Sequence, residues 1–150
     1  MPTIPERVAK ILELYRSQLP PATAEQLDQA DRVFNELFGI ALPADYRELL
    51  QQCNGIDFNG VSFYATQDGV TAKGRTRFGL AESNQRLLHG EHDIESSLRF
   101  VGETGDRLFA YDTDDGRWKS VDRTSWTPTG DSHDRFADLF AEVCGIFVDW

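Results

Sequence analysis

Leu42-Pro43-Ala44-Asp45-Tyr46-Arg47-Glu48-Leu49-Leu50, continued through Cys53-Asn54-Gly55 to Gly60-Val61-Ser62-Phe63-Tyr64-Ala65-Thr66, is where the hydrophobic period of this sequence changes. Pro43 opens a short helix, since a missing backbone N–H is harmless in the first turn. Tyr46, Leu49, Leu50 and Cys53 share one helical face, and Asn54-Gly55 supplies a left-handed residue to end it. Asp45 falls in the first turn, where a carboxylate favours the helix dipole. Past Gly60 the period drops to two: Val61, Phe63 and Ala65 alternate with Ser62, Tyr64 and Thr66, which predicts a half-buried strand. The stretch therefore reads as a helix that turns into a sheet.

Upstream the pattern is helical. Val8, Ile11, Leu12, Tyr15 and Leu19 recur at helical spacing, which predicts a helix over 5–18 stopped by Pro20-Pro21. Thr23 and Gln26 have capping-box spacing, Leu27, Ala30, Phe34, Leu37 and Phe38 share a face, and Gly39 caps a second helix over 24–38. Downstream, residues 67–80 are rich in Gly, Thr and basic side chains and show no clear period, and Leu80 to Leu88 suits a short helix over the sheet. Runs at 98–103, 107–112 and 117–122, separated by Thr104-Gly105-Asp106 and Thr113-Asp114-Asp115-Gly116, predict a three-stranded antiparallel meander. Phe136, Leu139, Phe140, Val143 and Cys144 form a last amphipathic helix, with Asp131 and Ser132 as candidate caps and Gly145 as its end. The expectation is one α+β domain over 1–150: a mainly antiparallel sheet of four or more strands, packed with N-terminal helices and a C-terminal helix.

The Leu-Pro-x-Asp-Tyr helix at 42–50 ending in Asn54-Gly55 resembles the SUKH superfamily, which includes fungal cell-wall-synthesis regulators and many bacterial immunity proteins. Asn84 with Arg86, Phe100-Val101-Gly102-Glu103, Tyr111-Asp112 before an acidic turn and the terminal helix fit in order, so the resemblance covers about residues 24 to 145. Many members carry a second glycine or an aromatic residue soon after Asn-Gly. Ile56-Asp57 stands there instead, which leaves the subgroup open. The resemblance implies a SUKH-like domain for protein recognition, in many members seated on a toxin, often a nuclease, inside the producing cell.

Composition narrows the function classes. With 40% hydrophobic and 27% charged residues, and 10 Phe, 4 Tyr and 3 Trp, the 150-residue chain can bury a core without staples. The formal charge of −10 argues against nucleic acid, which needs clustered Lys and Arg. Residues 91–115 hold −6 of it, with 8 acidic against 2 basic side chains. Glu6, Arg7, Lys10, Glu13 and Arg16 interrupt every apolar run near the start, so neither a signal peptide nor a membrane span is expected, and the reading is a cytoplasmic protein. Cys53 and Cys144, isolated on apolar helical faces, read as buried hydrophobes in a reducing compartment.

Nothing recommends catalysis, and no cofactor is read. His89-Gly90-Glu91-His92 lacks the spacing of a helical zinc motif, and His133 stands far from it. Asp112-Thr113-Asp114-Asp115-Gly116 opens like a calcium loop, but its glycine comes one place early and the twelfth position is Arg123, so a hairpin turn explains it. A metal-dependent enzyme using these histidines is the least favoured reading. The favoured one is recognition by an acidic face: Glu91, Asp93, Glu103, Asp106, Asp112, Asp114 and Asp115, with Tyr111 and Trp118 as aromatic anchors, would steer a basic protein and then hold it. Trp118 has a competing reading as a core strand residue. The expected partner is a cognate toxin domain, with a basic nuclease as one form; the alternative is a regulatory adaptor that binds a house-keeping protein.

Overall fold

A computed structural model describes residues 2–88 and 96–147. Its elements are α1 (Ile4–Leu14), α2 (Ala24–Val33), a π-helical turn (Phe34–Phe38), α3 (Ala44–Gln52), β1 (Ile56–Phe58), β2 (Val61–Phe63), β3 (Gly69–Val70), β4 (Thr76–Arg77), α4 (Leu80–Leu88), β5 (Leu98–Glu103), β6 (Arg107–Asp112), β7 (Arg117–Asp122) and α5 (Phe136–Phe147). Among the described residues the main sheet has five antiparallel strands in the order β1-β2-β5-β6-β7, and β3 and β4 form a separate small hairpin. The α+β layout with helices leading and closing the chain is the one expected.

Helices α3 and α5 pack on one face of the sheet. There Phe63 stacks on Phe109 and meets α5 through Phe136 and Phe140; Tyr46 of α3 packs on Phe136 with ring centroids 4.6 Å apart. Helix α4 lies beside the edge of β5, where that strand runs past its pairing with β2. There the side-chain amide of Asn84 donates to the Phe100 carbonyl (2.8 Å) and accepts from the Phe100 N–H (2.7 Å), clamping the strand beside the bulge between Phe100 and Gly102.

The stretch that sets the fold is held by its polar side chains. The Tyr46 hydroxyl, fully buried, donates to the Tyr64 carbonyl (2.6 Å), so the helix grips the strand it leads into. Asn54 donates to Thr66 Oγ1 (3.0 Å) and accepts from the Thr66 N–H (2.9 Å). Gly55 has φ +83°, and a Cβ there would come within 2.9 Å of Ala65. Asp45 accepts from the Tyr46 N–H (2.9 Å) and, across 92 residues, from the Ala137 N–H (2.8 Å) in the first turn of α5.

That last contact corrects one reading. Asp131 and Ser132 do not start α5 and Gly145 does not end it: the helix begins at Phe136, its N-terminal amide is met by Asp45, and it continues to Phe147. Helix α1 likewise stops at Leu14, not Gln18, because the following residues are taken up by tertiary partners. Helix α2 begins at its capping box as read, but its last five residues widen into the π turn before Gly39. The chain between Gly55 and Gly60 proves to be a strand, β1, joined to β2 through Asn59 (φ 47°) and Gly60 (φ +81°). An Asn-Gly pair between Ile56-Asp57-Phe58 and Val61-Ser62-Phe63 is the sequence signal of such a two-residue hairpin. The meander and α4 have the bounds expected of them.

Both outer edges of the sheet are covered, which blocks strand addition there. Beside β7, residues 127–133 run antiparallel, with Trp118 and His133 exchanging backbone hydrogen bonds of 2.8 Å. Beside β1, the Gln18 amide mimics a strand, donating to the Asp57 carbonyl (2.6 Å) and accepting from the Asp57 N–H (3.1 Å).

Candidate protein-binding surface

Among the described residues, the acidic side chains picked out in the sequence fall at two different turns of the meander. Glu91 and Asp93, with His89 and His92, lie outside the described residues. Glu103 and Asp106 sit at the β5–β6 turn, whereas Asp112, Asp114 and Asp115 sit at the β6–β7 turn. Six residues of strand separate these ends by roughly 17–20 Å.

Glu103 is committed to internal contacts. Its side chain, 12% exposed, accepts from Arg123 (2.6 Å) and Arg86 (2.8 Å) and from the Tyr64 hydroxyl (3.1 Å). Burial pushes its carboxyl up, but the hydrogen bonds and charges of Arg123 and Arg86 outweigh that and hold it below the usual glutamate range. Burial and the adjacent Glu103 charge push the Tyr64 phenol up. Asp106 is exposed and accepts from the Thr104 hydroxyl (3.0 Å), as the turn requires.

At the other turn, Lys119 bridges two of the three carboxylates, reaching Asp112 at 2.9 Å and Asp115 at 2.6 Å. Burial raises the Asp112 carboxyl, yet the bonds from Lys119 and the Asp114 N–H leave it lowered, and the two aspartates raise Lys119. Asp114 is exposed and, among the described residues, has no ion pair. Tyr111 and Trp118 are buried, with ring centroids 5.0 Å apart, and Trp118 packs edge-on against Phe136. Trp118 is a core strand residue, the competing reading above; only the rims of both rings reach a surface.

That surface is a groove of about 560 Å³ between the start of α3, the β6–β7 turn and the loop before α5. Tyr111, Trp118 and Phe136 form its floor, and Asp45, Glu48 and Asp134 stand on its walls. Glu48 is exposed and has no ion pair among the described residues, Asp134 is shared with Arg117 at 2.7 Å, and the facing Arg135 is shared with Asp138 at 3.1 Å. Asp45 was read in the sequence only as a helix-dipole residue, and Glu48 and Asp134 were not singled out; Glu48 could have been, as a carboxylate on the face of α3 opposite Leu49 and Leu50, but its place on one groove with Asp134 depends on the Asp45 cap on α5.

The model of the SMI1 / KNR4 family (SUKH-1) matches residues 21–143. The chain belongs to that family. In this SUKH-1 chain the Leu-Pro-x-Asp-Tyr helix is thus both the anchor of the fold and one wall of the groove. Membership supports a general protein-binding role, immunity-like or regulatory. A search of curated proteins finds no match.

Nothing in the described part suggests another kind of centre. Among the described residues no group of three or more His, Cys, Asp or Glu is placed to hold a metal ion, and His133 lies 3.2 Å from Glu142. Burial pushes both the Cys53 and Cys144 thiols up to about 12, away from nucleophile chemistry. No helix among the described residues is long and apolar enough to cross a membrane.

Proposed function

We propose that this chain is an immunity protein that binds and neutralises a cognate bacterial toxin, and that it receives a basic surface of that toxin in the groove beside the β6–β7 turn. The observation that supports this most is the aromatic floor of Tyr111, Trp118 and Phe136 beside Glu48, which has no ion pair among the described residues, with Asp114, likewise unpaired among them, on the adjoining β6–β7 turn. Unbridged rim charges steer encounter, and burying ring edges slows release. A nuclease fits as partner because an enzyme that grips a polyanion is itself basic.

The test is co-expression with the toxin domain encoded beside it, followed by stopped-flow association of the purified pair. The chain should restore growth, and Glu48→Lys with Asp114→Lys should slow association by on the order of tenfold at low salt, with the difference shrinking at high salt. Reversal of Asp112 or Asp115 is less informative, since it also breaks the Lys119 bridge. No complex with a neighbouring toxin, together with a stable complex with a house-keeping protein, would instead establish the adaptor role.

A further inference from the structure

The opposite edge of the sheet carries a groove of the opposite charge. About 640 Å³ in volume, it lies between the end of α1, the β1–β2 turn and the β3–β4 hairpin. In a chain of net charge −10, its rim carries Arg16, Lys73 and Arg75, all exposed and, among the described residues, without an ion pair. Beneath them lies Arg77, whose side chain is 5% exposed. Arg75 and Arg77 share a face by the two-residue strand period, and the turn at Gly74 (φ +78°) brings Lys73 beside them.

The floor is built to keep a charge in place. Arg77 donates to Asp57 (3.1 Å), to the Thr76 carbonyl (3.2 Å) and to the Ser17 carbonyl, while its buried Nε has no partner among the described residues. Asp57 also accepts from the Ser62 hydroxyl (2.9 Å) and is held by Gln18 through its backbone. One carboxylate therefore answers four cations. Leu14, 61% exposed, adds an apolar lip.

We infer that this groove is a second recognition site, which takes a short acidic peptide segment of a protein partner in extended form, its carboxylates paired with Arg16, Lys73 and Arg75 and an apolar residue on Leu14. Three features favour a peptide over a nucleic acid. The cationic rim is short, so a long phosphate backbone would run out onto an acidic molecule that repels it. Of its two lining rings, Phe58 is buried and Tyr15 is half-buried against the core, which leaves little aromatic face for a base to stack on. Carboxylates pair with arginine forks in defined geometry, and the apolar lip suits a side chain. The site acts independently of the acidic groove: four strand spacings of about 4.8 Å put β1 roughly 19 Å from β7, beyond the Debye length of about 8 Å at physiological salt. It does not depend on the toxin reading.

The test is calorimetric titration of the full chain with a hexaglutamate peptide at low salt, beside a six-residue thymidylate oligonucleotide. Hexaglutamate should bind saturably, more tightly than the oligonucleotide, and Lys73→Glu with Arg75→Glu should weaken it by on the order of tenfold. Both side chains are exposed and unbridged, so circular dichroism should be unchanged. Arg32→Glu, on exposed α2 surface outside the groove, should leave binding as it was. No binding, or binding indifferent to the double reversal, overturns the inference, and tighter binding of the oligonucleotide overturns it in favour of nucleic acid. The toxin experiment uses Glu48 and Asp114, so either result stands without the other.

Discussion

The β6–β7 turn and the β3–β4 hairpin carry opposite charge and treat it in opposite ways. At the acidic turn, two of three carboxylates are bridged by Lys119, leaving Asp114 and, on the wall of the neighbouring groove, Glu48 without an ion pair among the described residues. At the basic groove, the one bridged cation is the buried one, Arg77, and the exposed ones are free of ion pairs among the described residues. A charge count along the chain finds the net excess, but the field a partner feels comes from groups without internal partners. The acidic stretch is thus weaker than its −6 suggests, and the near-neutral middle of the sequence holds a concentrated positive site.

The sharpest way to break this contrast is Asp57→Ala. It strips the buried Arg77 of its carboxylate, and an uncompensated buried charge destabilises by on the order of 3 kcal/mol. Urea unfolding should show a clear drop in midpoint; an unchanged midpoint would mean that Arg77 is not held by that pair. Asp45→Ala should cost less, about 1 kcal/mol, the usual loss for a helix N-terminal acceptor. It should also loosen α5 against α3, read as faster amide exchange in the first turn of α5, and so open the acidic groove while leaving the basic one intact.

Lys119→Met should have the smallest effect, under about 1 kcal/mol at neutral pH for a partly exposed bridge. Its signature lies in the acid limb. Asp112 is held below its ordinary value in the folded state, so its contribution is present above about pH 4 and is lost as pH falls through the lower folded value. Without Lys119 that depression shrinks, and stability should fall less steeply below about pH 4. Glu103, lowered by Arg123 and Arg86, should keep its own share of the acid limb in the variant. An acid limb identical to the parent's would show that Lys119 does not set the Asp112 proton affinity.

What local periodicity encodes was readable: the capping box at Thr23, the helix from Pro43 to Asn54-Gly55, the meander at 98–122 and α4 all depend on neighbours in sequence. β1 also depends on near neighbours, through Asn59-Gly60, but it was not read, because three residues are too few to show an alternation. The start of α5 was not readable, because the acceptor for its first amides, Asp45, lies 92 residues away. Nor was the division of the acidic residues, because which carboxylates are bridged follows from side chains brought together across strands. Tyr111 and Trp118 were legible as important rings, but only packing against Phe38 and Phe136 turned them from anchors into a floor.

Residue order alone therefore settled most of the elements and pointed to the family, since hydrophobic period, caps and turns act over a few residues. Folding in three dimensions decided which charges stay free, and hence where a partner can be felt. An ion pair or a cap is a matter of ångströms between atoms that the chain may hold a hundred residues apart.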